Sequence, residues 1–309
     1  SFDTDIYLAR SDDGGLSFQP PVRVDDSGDS RTVQRTPSIA VDGRGYVYLA
    51  WQDARRRVGT TPSGSPVYTA DIYLARSVDA GVSFTASVRV DDAGDAYVWH
   101  SWPSVAWSPE GILMVSWHDN RTGANSVYAA NSRDGGQTFG QSVRMDDAPL
   151  ATAQGLSSLS ADHKGLFYSV WLDNRLGDWS IFSTRSVDGG ISFKPNVRVD
   201  VGGSKSLTGT VPRLAAHEGG FLASVWTDWT PSLSDRDIYI AASRDRGVSF
   251  EGAFRVDQGP AGSDQVSPSV AVDEVGRAYV IWADDRNSPE TDPHYDVYLS
   301  VLDFGLSPP

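Results

Sequence analysis

Three observations predict an all-β chain, a β-propeller of four-stranded blades. The pattern Ser-x-Asp-x-Gly-x-Ser/Thr-Phe occurs five times, beginning at Ser11, Ser77, Ser132, Ser186 and Ser243, with starts 66, 55, 54 and 57 residues apart. The segments around each copy alternate apolar and polar residues with period two and are bounded by Gly, Asp, Asn and Pro, as strands joined by tight turns are. Composition agrees: there are 10 Trp, 12 Tyr and 30 Gly, and only five of the 40 acidic residues are Glu. Asp favours turns and caps, whereas Glu favours helices. Four strands every ~55 residues is the unit of a propeller blade.

The strands follow one order. Strand A is of the Pro37–Asp42 type and strand B of the Tyr46–Trp51 type. Strand C is of the Asp71–Arg76 type, and the octapeptide turn then leads into strand D, which ends Val-Arg-Val-Asp or similar, as at Arg89. Residues 1–26 supply C and D only. Full A-B-C-D sets follow at about 37–91, 103–146, 157–200 and 212–257, and Pro268 to Leu302 supply A, B and C. One propeller domain over residues 1–309 is expected, against the two domains that length alone suggests. A five-bladed ring leaves one C strand over, with Ile6-Tyr7-Leu8 competing against Val297-Tyr298-Leu299. A six-bladed ring lacks D, A and B in one contiguous stretch. Six blade positions are preferred, the closing blade being incomplete or completed by another chain; five is the alternative. An unpaired edge strand invites association, so an oligomer or complex through it is expected.

Charge and composition exclude several classes. With 26 basic and 40 acidic residues the net charge is −14, which repels nucleic acid and anionic membranes. The absence of cysteine removes disulfides, thiolate metal sites and cysteine nucleophiles. No apolar run approaches the length of a membrane-spanning helix. A first residue that is Ser, with no leader pattern after it, suggests a processed or cut form.

The octapeptide has a local rationale. Asp79 can accept hydrogen bonds from backbone N–H groups of its own turn, Gly81 can take a positive φ, and Phe84 can pin the turn to the blade. A turn present in five blades reads as scaffold rather than as a site. These turns resemble the Asp boxes, or bacterial neuraminidase repeats, of sialidase-type propellers, and through them the resemblance covers nearly the whole chain. It implies six blades and a site near the central axis, on the face that carries the D–A and B–C loops. It also implies an extracellular, periplasmic or cell-surface protein. Sialidases, other glycoside-processing enzymes and non-catalytic binding propellers share this architecture.

Trp51-x-Asp53-x-Arg55 returns at Trp117, Trp171 and Trp282, and in part at Trp226, so it too reads as glue between blades. Residues unique to one blade are better site candidates. Arg35-Thr36-Pro37 resembles the Arg-Ile-Pro with which sialidases open a blade, its arginine being one of three that bind the sialic acid carboxylate. Asp53 and Arg55 close strand B of that blade. Arg213 stands where other blades have Ser and is a second carboxylate-binding candidate, because a guanidinium fork bonds both oxygens. Trp99, Trp102, Trp179 and Trp229 fall in or beside loops of the functional face, where they could stack on sugars or on a protein.

The resemblance also requires a Tyr nucleophile with a Glu partner and an acid/base Asp. The candidates are Tyr295 with Glu290, and Asp53; the set is incomplete. Asp25, Asp26 and Asp29, and likewise Asp91, Asp92 and Asp95, cluster hard oxygen ligands of a kind that suits Ca²⁺. The five His show no metal-ligand spacing. The expected function is a binding module taking a glycan or a protein on its loop-rich face. The alternatives are an exo-acting glycoside hydrolase of sialidase type using Arg35, and a structural subunit of a larger assembly.

Overall fold

A computed structural model of the chain describes residues 4–28, 32–94, 98–201, 207, 210–217, 219–229, 236–260, 262–288 and 294–305. They contain no helix, and therefore none long and apolar enough to cross a membrane. Twenty-one strands form six antiparallel sheets arranged as the blades of a propeller that is not closed.

Blade 1 pairs β1 (Tyr7–Leu8) with β2 (Val22–Arg23). Blade 2 holds β3 (Gln34–Val41), β4 (Val47–Thr60), β5 (Pro66–Ser77) and β6 (Val88–Arg89). Blade 3 holds β7 (His100–Trp107), β8 (Leu113–Asp119), β9 (Ser126–Ser132) and β10 (Val143–Arg144). Blade 4 holds β11 (Gln154–Ala161), β12 (Phe167–Leu176), β13 (Asp178–Ser186) and β14 (Val197–Arg198). Blade 5 holds β15 (Arg213–Ala216), β16 (Leu222–Trp229), β17 (Arg236–Ser243) and β18 (Phe254–Arg255). Blade 6 has three strands, β19 (Gln265–Val272), β20 (Arg277–Asp284) and β21 (Asp296–Asp303). The order A, B, C, D and the short first and last blades are those expected from the repeat.

Each octapeptide folds into the same turn. In blade 2, Ser77 Oγ donates to Asp79 Oδ1 at 2.7 Å and accepts the Gly81 N–H at 2.8 Å. Asp79 in turn accepts the Ser83 N–H at 2.9 Å and its hydroxyl at 2.6 Å. Gly81 has φ +83°, the left-handed region that a side chain resists.

Hydrophobic clusters fill five of the six blade boundaries, and each contains the strand B Trp of the later blade. Trp51 lies in the cluster between blades 1 and 2, Trp117 between 2 and 3, Trp171 between 3 and 4, Trp226 between 4 and 5, and Trp282 between 5 and 6. Removing such a side chain to Ala costs about 3–5 kcal/mol. In blades 2, 3, 4 and 6 the indole N–H is satisfied within the repeat: Trp51 Nε1 donates to Asp53 Oδ2 at 2.9 Å, and Arg55 donates to the same oxygen at 2.7 Å.

Two features were not legible in the sequence. The B–C connections at 52–70 and 172–179 are largely strand. Arg56 pairs with Thr69 and Thr60 with Pro66, so β4 and β5 run on into a long hairpin closed by the Thr61–Gly64 turn. Strand A also carries a bulge in four blades, with Thr36, Trp102, Leu156 and Ser267 at φ +50°, +55°, +58° and +55°. A bulge residue sits outside the regular alternation of the strand, so the two-residue period does not foretell where it points.

Candidate functional site

The A strands are tied blade to blade by serines. Ser38 Oγ accepts the Val105 N–H at 3.1 Å, Ser104 Oγ accepts that of Leu159 at 2.9 Å, and Ser158 Oγ accepts that of Leu214 at 3.2 Å. The next position in this series is Arg213, and there the ladder stops. Blade 5 departs elsewhere too. Its strand A is four residues long instead of eight, and the buried Trp226 Nε1 has no hydrogen-bond partner among the described residues.

A cavity of about 320 Å³ opens at this break, between blades 5 and 6. Arg213, Thr210, Thr227, Trp229, Arg236 and Ser267 are among its lining residues. Arg236 is ion-paired with Asp264 and lies over the Trp229 ring at 5.2 Å. Arg213 has no ion pair or hydrogen bond among the described residues, and desolvation alone pushes its pKa down. Arg213 is exposed to solvent at this cavity, and a guanidinium without a partner offers its planar fork of donors to an incoming anion. The pocket can therefore hold a carboxylate against Arg213, with the Trp229 ring and hydroxyls beside it.

A second cavity, about 230 Å³, lies between blades 3 and 4 and is lined by Trp102, His118, Asn125, Gln154, Leu156 and Trp179, with others. The bulge carries Trp102 here, 40 % exposed. His118 is buried, and its pKa is lowered to about 4, chiefly by desolvation. Its Nδ1 accepts the Leu156 N–H at 3.3 Å, so in the neutral ring the proton sits on Nε2. Two indole faces and an imidazole donor suit an uncharged sugar. Nothing in the sequence marks His118, because it meets Leu156 only across a blade boundary.

The remaining candidates are distributed as follows. Arg35 is exposed on β3, beside the bulge, with no ion pair among the described residues. Trp99 is 42 % exposed and its N–H is held by Asn120. Arg55 is not free for a ligand: it joins Asp53 to Asp26 of blade 1 and lies 4.3 Å from the Tyr73 ring centre. Asp53 is wholly buried beneath Trp51, Arg55 and Gln34, a position unsuited to an acid/base. Tyr295 is exposed, while Glu290 lies outside the described residues.

The acidic clusters are also committed to structure. Asp25 accepts the Ile6 N–H at 3.0 Å and pairs with Arg23; Asp91 does the same with the Ile72 N–H and Arg89. Asp26 and Asp92 instead face the next blade, where they hold Ser87 with Arg55 and Ser142 with Arg121. Adjacent aspartates thus point into different contacts and do not converge on a cation; Asp29 and Asp95 lie outside the described residues. The structure does bring Asp71, Asp91 and His100 together, fully buried, at a spacing a metal could bridge. Arg56 and Arg89 already neutralise these carboxylates, and the His100 position is Gln34, Gln154 and Gln265 in other blades. That cluster reads as a blade contact.

No family model and no curated protein matches the chain by sequence. Solved structures match it in fold. A protein of unknown function from Dyadobacter fermentans matches at 16 % identity and TM-score 0.64, covering 97 % of this chain and 84 % of that one. The NanB sialidase of Streptococcus pneumoniae matches at 10 % identity and TM-score 0.64, covering 97 % of this chain and 63 % of the sialidase. An α-L-arabinanase of Penicillium chrysogenum matches at 16 % identity and TM-score 0.57, covering 85 % and 80 %. The fold is therefore the β-propeller that sialidases and arabinanases share.

Proposed function

We propose that this is an Asp-box propeller that binds a glycan bearing a carboxylate, with Arg213 holding the carboxylate and Trp229 stacking beside it. The observation that carries this reading is a single substitution in the repeat: an arginine with no ion pair or hydrogen bond among the described residues stands where the A-strand ladder has serine, and a cavity opens around it. The cleft of Trp102, His118 and Trp179, between blades 3 and 4, is a separate site suited to a neutral sugar. Catalysis is not part of the reading. Asp53 is locked in a blade contact, and the described residues that line the Arg213 cavity include no carboxylate. Carboxylated glycans are met mostly outside the cytoplasm, so we place the protein in an extracellular, periplasmic or cell-surface setting.

The test is calorimetric titration with N-acetylneuraminic acid, glucuronic acid and their neutral counterparts. Acidic sugars should bind, with affinity falling roughly tenfold or more in Arg213→Ala, as expected for loss of a charge-assisted hydrogen bond. Equal binding of acidic and neutral sugars would overturn the role of Arg213. Release of free sugar from a fluorogenic sialoside would replace the binding module with a hydrolase.

A further inference from the structure

In four blades an aromatic residue of strand C lies between a strand B Trp and a strand D Arg. Tyr73 lies between Trp51 and Arg89, and Phe182 between Trp171 and Arg198. The first and last blades each keep half of this arrangement. Tyr7 has Arg23 opposite it but no Trp among the described residues, and it is 56 % exposed. Tyr298 has Trp282 opposite it but no strand D Arg among the described residues.

The faces flanking this position are apolar and uncovered. Ile281 and Leu299 of blade 6 are 45 % and 58 % exposed; the equivalent Ala50 and Leu74 of blade 2 are buried in a boundary cluster. Ile39 and Val41 of β3 are 51 % and 56 % exposed, whereas their counterparts Val105 and Trp107 pack against the preceding blade. Phe18, the octapeptide Phe of blade 1, is 65 % exposed, while Phe84, Phe139, Phe193 and Phe250 pack into boundary clusters.

We propose that this position is completed by one further D–A–B stretch of the same repeat, on a polypeptide segment additional to residues 1–309. The five boundaries already formed specify its chemistry. It begins with an apolar-Arg pair, the apolar residue opposite Leu299 and the Arg opposite Tyr298. That Arg reaches Asp296, as Arg255 reaches Asp237 at 2.8 Å in blade 5. It ends with Trp-x-Asp, the Trp opposite Tyr7. A second copy of this chain has no such stretch to lend, since each of its A and B strands already lies inside a sheet.

The chain itself contains a suitable probe: residues 88–119 are one D–A–B stretch, β6, β7 and β8. A peptide of that sequence, added to the protein, should form a one-to-one complex by native mass spectrometry. It should raise the Tm and slow amide exchange along β21. Leu299→Asp alters an exposed side chain, so it should leave the free protein folded; it should weaken the complex at least about tenfold, because a charge would enter an apolar contact. A fusion carrying the same stretch on a Gly/Ser linker ahead of residue 1 covers the case of a peptide that fails in isolation. No protection of β21 in the fusion would overturn the proposal. So would a protein that dimerises with β21 protected before any peptide is added, since the occupant would then be a second copy.

Discussion

The Arg55 guanidinium lies 2.7 Å from Asp26 Oδ1, across the boundary between blades 2 and 1. The contact repeats around the ring as Arg121 with Asp92 and Arg175 with Asp147. Each of these Asp residues follows a strand D Val-Arg-x-Asp end and reaches into the next blade. Arg55 also screens Asp53, which has no exposed surface. Arg55→Ala would strand that buried carboxylate and should destabilise the protein by about 3 kcal/mol. Arg57→Ala, whose side chain is exposed on the β4–β5 hairpin, should change stability by less than about 0.5 kcal/mol. Urea unfolding followed by Trp fluorescence distinguishes the two.

Arg213→Ser should have opposite effects on stability and binding. It restores the residue found at Ser38, Ser104 and Ser158, whose hydroxyl can accept the next A-strand N–H, here that of Val270. A gain of about 0.5–1.5 kcal/mol is expected from the hydrogen bond. Binding of acidic sugars should be lost. A variant both less stable and unable to bind would show that Arg213 holds the blade in place.

Acid should unfold the protein through its turns and blade contacts. Asp134 and Asp188 are lowered from the ordinary 3.8 to about 2 against the opposing effect of burial, mainly by hydrogen bonds from Thr138 and Ser192. Asp26 is also lowered to about 2, by Ser87 and Arg55. A carboxylate whose folded pKa lies below its unfolded value adds stability above about pH 4 and loses it as pH falls towards 2. Asp146 is shifted upward by burial and works the other way. The net expectation is a cooperative loss of near-ultraviolet circular dichroism between pH 4 and 2. A midpoint above pH 5 would implicate groups other than these.

His118 gives a separate signature at milder pH. Burial lowers its pKa from the ordinary 6.5 to about 4, so the fold favours the neutral ring. The stability it contributes is complete above 6.5 and falls away as pH drops to 4. By linkage the loss is on the order of 3 kcal/mol. His118→Gln should flatten the fall in urea-unfolding stability between pH 7 and 5. The same slope in wild type and variant would assign that titration to another group.

The repeat made the architecture readable because a propeller reuses one set of local rules. Ser77, Asp79, Gly81 and Ser83 close their turn with bonds spanning at most four residues, so spacing alone announces it. Trp51 and Asp53 are likewise two residues apart. Arg35 and Arg55 show where such reading fails. Both close or open the same blade, yet one is exposed and the other is consumed by Asp26, 29 residues away in sequence. The clefts were hidden for the same reason. Trp102 reaches its cleft through a bulge, and His118 meets Leu156 across 38 residues.

By itself the sequence determined the strand order, the turns, the indole-carboxylate pairs and the contiguous nature of the missing strands, since all depend on neighbours in the chain. Only the tertiary structure decided which aspartates are locked, that Arg213 has no partner among the described residues and which apolar faces stay uncovered. Those outcomes depend on what the adjoining blade presents, and adjoining blades are built from segments some fifty residues apart.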